Sequence, residues 1–160
     1  MITLEELKRL LIYNPETGEF INLIDRGRSR AGQVVGSYSG NGYISIKLNY
    51  ERYYAHRLAW FYMTGEWPEN EIDHINCITD DNRWCNLRQA SRVENSYNSS
   101  IRSHNKTGYK GVYKHKDGKY IAQIIVNRKK INLGSYVTPE EAKIKYDEAA
   151  LIYHKEFASL

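Results

Sequence analysis

The segment from Ile72 to Asn98 constrains the chain most. Ile72-Asp-His-Ile, a polar loop through Asp80-Asp-Asn-Arg-Trp, Asn86-Leu-Arg-Gln-Ala and Ser91-Arg-Val-Glu94 follow one another with little slack. The two apolar runs read as short strands joined by the loop. Ser91 and Glu94 have capping-box spacing and open a helix that contains Asn95 and Asn98. Asp73-His74 is followed by eleven residues, Asn86, eight residues and Asn95. A strand–loop–strand–helix unit of this length folds on itself, with the end of its first strand against the first turn of the helix. The Asp73 carboxylate and the Asn95 amide oxygen can then share a divalent cation. Such oxygen ligands suit Mg²⁺ or Mn²⁺ better than zinc. Side chains alternate along a strand, so the strand end must bend if Asp73 and His74 are to reach one phosphate. Histidine, with its near-neutral pKa, is a natural base for taking a proton from water.

Upstream, Thr3-Leu-Glu-Glu has capping-box spacing, and Leu4, Leu7, Leu10 and Leu11 recur with helical period. Asn14-Pro-Glu-Thr-Gly is a turn, and Glu19 to Ile24 reads as a strand. Arg26, Arg28 and Arg30 lie on a basic Gly-containing loop suited to a phosphate backbone. Asn41-Gly42 predicts a hairpin turn before the alternating Tyr43–Leu48. Tyr54 to Met63 is apolar on more than one face and predicts a buried helix ended by Gly65. His56 within it reads as a packing residue, and Trp60, Trp67 and Trp84 as core. Cys77 and Cys85 lack paired Cys-x-x-Cys spacing and read as free thiols of a reducing compartment.

The net charge of +4 conceals an asymmetry. Residues 1–99 carry 11 basic and 13 acidic side chains, whereas residues 100–160 carry 12 and 6. A basic segment beside a mildly acidic one points to a polyanion-binding module attached to something else. Residues 96–107 are polar and read as a linker. Strands are expected at 109–115, 119–126 and 130–136, followed by a helix opened by Thr138-Pro-Glu-Glu. Ala142, Ala149, Ala150 and Ile152 are expected to pack that helix on the sheet. No apolar run approaches the roughly 20 residues needed to span a bilayer, and the N-terminus does not read as a secretory signal. The expected location is therefore cytoplasmic, with no membrane and no small-molecule cofactor.

The residues His56-Arg-Leu-Ala-Trp, Asp73-His74-Ile-Asn, Asp81-Asn-Arg-Trp-Cys-Asn86-Leu-Arg and Glu94-Asn95-Ser-Tyr-Asn98 resemble the HNH nucleases, the ββα-metal family. The match is nearest to the phage and intron-associated branch, in which the final histidine position is Asn. The resemblance implies that His74 activates water and that Asp73 and Asn95 hold the metal. It further implies that Asn86 braces the loop and orients His74, with Asn98 and His56 supporting from behind. The implied products carry 5′-phosphate and 3′-hydroxyl ends.

Gly108-Tyr-Lys-Gly-Val-Tyr, Gly118-Lys-Tyr-Ile-Ala-Gln-Ile, Ile131-Asn-Leu-Gly-Ser-Tyr and Thr138-Pro-Glu-Glu-Ala resemble the AP-two (ethylene-response-factor) DNA-binding domain. In that family a three-stranded antiparallel sheet packed on one helix enters the major groove. The corresponding positions are Lys110, Tyr113, His115, Gln123, Ile125, Lys130 and Asn132. Several differ from the plant pattern, so no base preference transfers.

The expected architecture is α+β: an HNH unit with an N-terminal helix and hairpins (1–100), a linker (101–107) and an AP-two-like domain (108–160). The expected activity is Mg²⁺- or Mn²⁺-dependent cleavage of double-stranded DNA, site-specific and of the homing type. Two rivals stand beside it, a DNA-binding regulator with an inert nuclease unit and a structure-selective or RNA-directed nuclease. Monomer and dimer remain equally open.

Overall fold

The computed structural model describes residues 1–101 and 103–160; Arg102, part of the expected linker, lies outside the described residues. The chain divides into two compact units, Met1–Ala90 and Ser91–Leu160. Each is α+β, as the hydrophobic patterning predicts.

In the first unit the Thr3 hydroxyl accepts the Glu6 N–H and starts α1 (Leu4–Leu10). The chain passes without a loop into β1 (Leu11–Tyr13), which pairs antiparallel with β2 (Phe20–Asn22); β3 (Val34–Val35) completes that sheet. A second sheet holds β4 (Ser37–Tyr38), β5 (Ile44–Leu48) and β6 (Glu51–Tyr54) in that order. Its second hairpin turns at Asn49-Tyr50, both at positive φ, a turn that the sequence reading passed over. Helix α2 spans Ala55–Thr64 and ends at left-handed Gly65. Tyr54, expected in that helix, is instead the last residue of β6, where it pairs with Ser45. Leu7, Leu11, Leu48 and Leu58 are each fully buried. Each such side chain contributes about 1.5–3 kcal/mol of burial. Trp60, Trp67 and Trp84 are half-buried against this core rather than inside it. The last element pair is β7 (Glu71–His74) with β8 (Leu87–Ala90), with Asp73 opposite Arg88 and His74 opposite Leu87.

The second unit opens with α3 (Arg92–Tyr97), whose Ser91–Glu94 capping box is formed in both directions. A three-stranded antiparallel sheet follows, with β10 (Tyr120–Val126) central between β9 (Val112–Lys114) and β11 (Lys129–Tyr136). Helix α4 (Pro139–Tyr153) has the expected Thr138–Glu141 capping box and Pro139 in its first turn. It covers one sheet face with Ala142, Tyr146, Ala149 and Ala150. Ile152, expected among them, is 68% exposed. At 3.6 residues per turn it lies about 100° round the helix from the centre of that stripe. No helix among the described residues is long and apolar enough to cross a membrane.

Helix α3 is seated within its unit by Tyr97. The Tyr97 ring stacks on His154, with centroids 3.8 Å apart and planes 10° from parallel. The Tyr97 hydroxyl accepts the Asn127 N–H at 2.8 Å, and the Lys110 ammonium donates to the carbonyls of Tyr97 and Ser99 at 2.6 Å. His154 Nε2 donates to the Ile125 carbonyl at 2.8 Å, while its Nδ1 has no hydrogen-bond partner among the described residues. Burial lowers the His154 pKa from its ordinary value, the Ile125 hydrogen bond opposes that, and Lys110 adds to it. The unfolded chain therefore binds the proton more readily than the folded one. The contribution of a neutral His154 is full above its ordinary pKa of about 6.5 and is lost as pH falls below that value. Thermal unfolding between pH 7.5 and 5.5 is expected to show a smaller fall in Tm for His154→Gln than for the wild type. Equal falls would assign the pH dependence to other groups.

Candidate active site

The site-bearing loop of the first unit joins β7 to β8, and amide side chains fold it onto itself. Asn86 Oδ1 accepts the Asn76 N–H at 3.0 Å, Asn86 Nδ2 donates to the Asp81 carbonyl at 2.8 Å, and the Asn86 carbonyl accepts the Ile75 N–H at 2.9 Å. One buried asparagine thus fastens both ends of the loop, and the Cys77 N–H closes a turn on the His74 carbonyl at 2.8 Å. Asn76 Nδ2 and the Arg83 guanidinium both donate to Asp81. These donors, Arg83 foremost, hold the Asp81 carboxyl down at about 2. A second support comes from the β1–β2 turn. The Tyr13 hydroxyl donates to the Asn82 carbonyl at 2.7 Å, and the Trp84 N–H donates to the Pro15 carbonyl at 3.0 Å.

Asp73, His74, Asn82 and Asn86 are all buried polar residues. His74 Nε2 lies 3.3 Å from Asn82 Oδ1. Asn82 Nδ2 donates to the Asp80 carbonyl at 3.1 Å, which fixes the amide with its oxygen toward the ring. An amide oxygen only accepts, so Nε2 carries the hydrogen and Nδ1 is the basic nitrogen. Burial lowers the His74 pKa, opposed by the Asn82 hydrogen bond and by the charges of Asp73, Asp81 and Asp80. The ring is therefore neutral at neutral pH. Behind it stands His56, 5.1 Å away edge to face, stacked on Tyr54 and beside Tyr43. Burial, then His74 and Arg57, push His56 down to about 3, so it packs as a neutral ring.

The Asp73 carboxylate receives both Nε (2.8 Å) and Nη2 (2.7 Å) of Arg88 on Oδ2, across the β7–β8 ladder. A carboxylate oxygen donor fits a hard divalent cation, which commonly takes only one or two protein carboxylates and fills the rest of its shell with water and phosphate. The described residues contain no group of three or more His, Cys, Asp or Glu, the pattern of an all-protein cage.

Residues 53–97 match the HNH endonuclease family model. The matched stretch runs from β6 through α2, β7, the Asn86 loop and β8 to α3. It supports an HNH nuclease, a DNA endonuclease of the hydrolase class. No curated protein matches the chain. Within the matched HNH stretch, His56, Asp73, His74 and Asn86 belong to the first unit and Asn95 to the second; Asn98, also in the second unit, lies one residue beyond the match. Asn95 lies in α3, and Asn98 is its buried C-cap. Asn82 and Arg88 were missed in the sequence. The signal for Asn82 was its place among Asp80, Asp81 and Arg83, a polar run that alone reads as solvated loop.

Of the basic-loop residues, Arg26 donates to Asn22 Oδ1, Arg30 pairs with Asp25, and Arg28 is exposed. In the second unit the strand registers place Gln123 opposite Asn132, Ile125 opposite Lys130 and Ile121 opposite Tyr113. Tyr113, Gln123, Ile125, Lys130 and Asn132 therefore share the sheet face away from α4. Lys110 and His115 lie just outside β9; Lys110 is directed to the Tyr97 and Ser99 carbonyls, and His115 to Asp117 at 2.9 Å. Cys77 and Cys85 are free thiols.

Proposed function

We propose that the chain is a metal-dependent endonuclease that hydrolyses phosphodiester bonds of duplex DNA, site-specific and of the homing type, acting in the cytoplasm. The observation that carries this reading is His74: a buried, neutral imidazole in the matched stretch, held through Nε2 by Asn82 and adjacent on β7 to the Asp73 carboxylate. In this reading residues 1–100 cut, 101–107 link, and 108–160 form an AP-two-like domain that supplies affinity and register.

The His74 imidazole removes a proton from water as the water's oxygen attacks phosphorus in line with the 3′-oxygen. The new P–O bond forms as the P–O3′ bond breaks. The departing oxygen takes a proton from solvent, leaving 3′-hydroxyl and 5′-phosphate ends. Asp73 and Asn95 would hold Mg²⁺ or Mn²⁺, and the bound ion supplies Lewis-acid stabilisation of charge on the phosphoryl oxygens and leaving group. Asn86 keeps the loop closed so that His74 does not wander, and Asn98 and His56 support from behind. Arg26, Arg28 and Arg30 contact the phosphate backbone, as do Lys110, His115 and Lys130, while Tyr113, Gln123, Ile125 and Asn132 face the groove.

The test is conversion of supercoiled plasmid carrying a selected binding site. Mg²⁺- or Mn²⁺-dependent nicked or linear product, abolished by EDTA, is expected. Salt-sensitive binding to that site with no cleavage under any divalent metal would overturn the nuclease reading and leave a regulator.

A further inference from the structure

Within the second unit a cleft of about 240 Å³ opens between α3 and the β10–β11 turn, lined by Arg92, Val93, Ser96, Tyr97, Ile125 and Arg128. None of the six is acidic. Neither Arg92 nor Arg128 takes part in an ion pair among the described residues, and both are exposed. The Ser96 hydroxyl is turned inward to the Val93 carbonyl at 2.6 Å, and Tyr97 is buried. The floor is therefore apolar and the two cations stand at the rim.

The turn that presents Arg128 is unusual. Asn127 and Arg128 both have positive φ, 48° and 64°. A two-residue hairpin of this hand favours glycine, so a bulky arginine there costs energy that some contact must offset. Tyr97 supplies the contact: its hydroxyl accepts the Asn127 N–H at 2.8 Å and lies 3.3 Å from Asn127 Oδ1. Helix α3 thereby fixes the turn, and Arg128 lines the same cleft as Arg92 of that helix. Ile125 in the floor belongs to the exposed sheet face that carries Gln123 and Lys130, so the cleft continues that face.

We infer that Arg92 and Arg128 clamp one backbone phosphate of bound DNA in this cleft, with its sugar against Val93 and Ile125. The inference rests on the reading of this chain as a DNA-acting protein. Two guanidinium groups in a cleft whose lining holds no carboxylate match a phosphodiester, and a volume of about 240 Å³ suits one sugar–phosphate unit rather than a base pair. The contact carries no sequence information. It ties the duplex to the helix that bears Asn95.

The test is fluorescence anisotropy of labelled duplexes in EDTA, across a range of KCl, so that cleavage plays no part. Arg92→Ala and Arg128→Ala are each expected to weaken binding to the same degree on two unrelated sequences. The double variant is expected to flatten the slope of log K against log salt by about 0.9, the value for one phosphate. Arg92→Lys is expected to keep the slope. An unchanged slope in the double variant overturns the clamp, and a loss of about 1.8 overturns it in favour of two independent phosphate contacts. If the wild type binds no duplex at any salt, the DNA reading fails, and the clamp with it. If binding behaves as expected but the plasmid is never cut, only the nuclease reading fails.

Discussion

His74→Ala is expected to lower metal-dependent plasmid cleavage by about 10²–10⁴-fold, the usual worth of a positioned general base. Duplex affinity in EDTA is expected to stay within about twofold, because His74 is 4% exposed and offers little surface for binding. The substitution also removes a ring packed on His56 and Tyr43 and strands Asn82 Oδ1. His74→Gln is the companion variant, since its amide can still donate to Asn82. Both variants should retain cooperative unfolding, and both should lose cleavage because neither supplies a base near neutral pH. Cleavage at wild-type rates by either folded variant would remove His74 from the chemistry.

Gly18→Ala is expected to lower Tm by about 10 °C or more and to depress cleavage, although Gly18 touches none of the reacting groups. A Cβ at Gly18 would meet Arg83 N and Asn82 C at 2.5 Å, both backbone atoms that cannot swing aside. The residue also sits at φ 77°, in the left-handed region. Overpacking against backbone costs about 1–3 kcal/mol, and the left-handed conformation costs an alanine about 1–2 kcal/mol more. At 4–8 °C per kcal/mol for a unit of this size, a loss of only about 2 kcal/mol already gives that shift. The strain is relieved by moving the Asn82–Arg83 segment, which is the segment that holds the His74 ring. Differential scanning calorimetry alongside the plasmid assay separates the two effects: below the lowered Tm, cleavage should still be reduced. Wild-type Tm and rate together would show that the β1–β2 turn does not support the loop.

Local chemistry made much of this protein legible. Ser91–Glu94 and Thr138–Glu141 formed the capping boxes that their spacing predicts, because a cap involves only residues three apart. Asn14 and Gly18 made their turn, and Ala122 and Ile124 alternated with Gln123 and Ile125, for the same local reason. Asp73, His74 and Asn86 stood out because their spacing along a short strand–loop–strand leaves few ways to fold. Tertiary structure decided what lies against them. Asn82 rather than any patterned residue receives His74 Nε2–H, and Arg88 reaches Asp73 through cross-strand register. Tyr97 seats α3 on His154, fifty-seven positions away in the chain by their numbers. Ile152 is apolar yet exposed, since it lies about 100° round α4 from the stripe that meets the sheet. The sequence by itself determined the capped helices, the Asn14–Gly18 turn and the alternation of β10, since capping, turn formation and strand alternation act over a few bonds. The tautomer of His74, the partner of Asp73 and the lining of one cleft by both Arg92 and Arg128 depend on packing between residues distant in the chain, and only the folded structure fixes them.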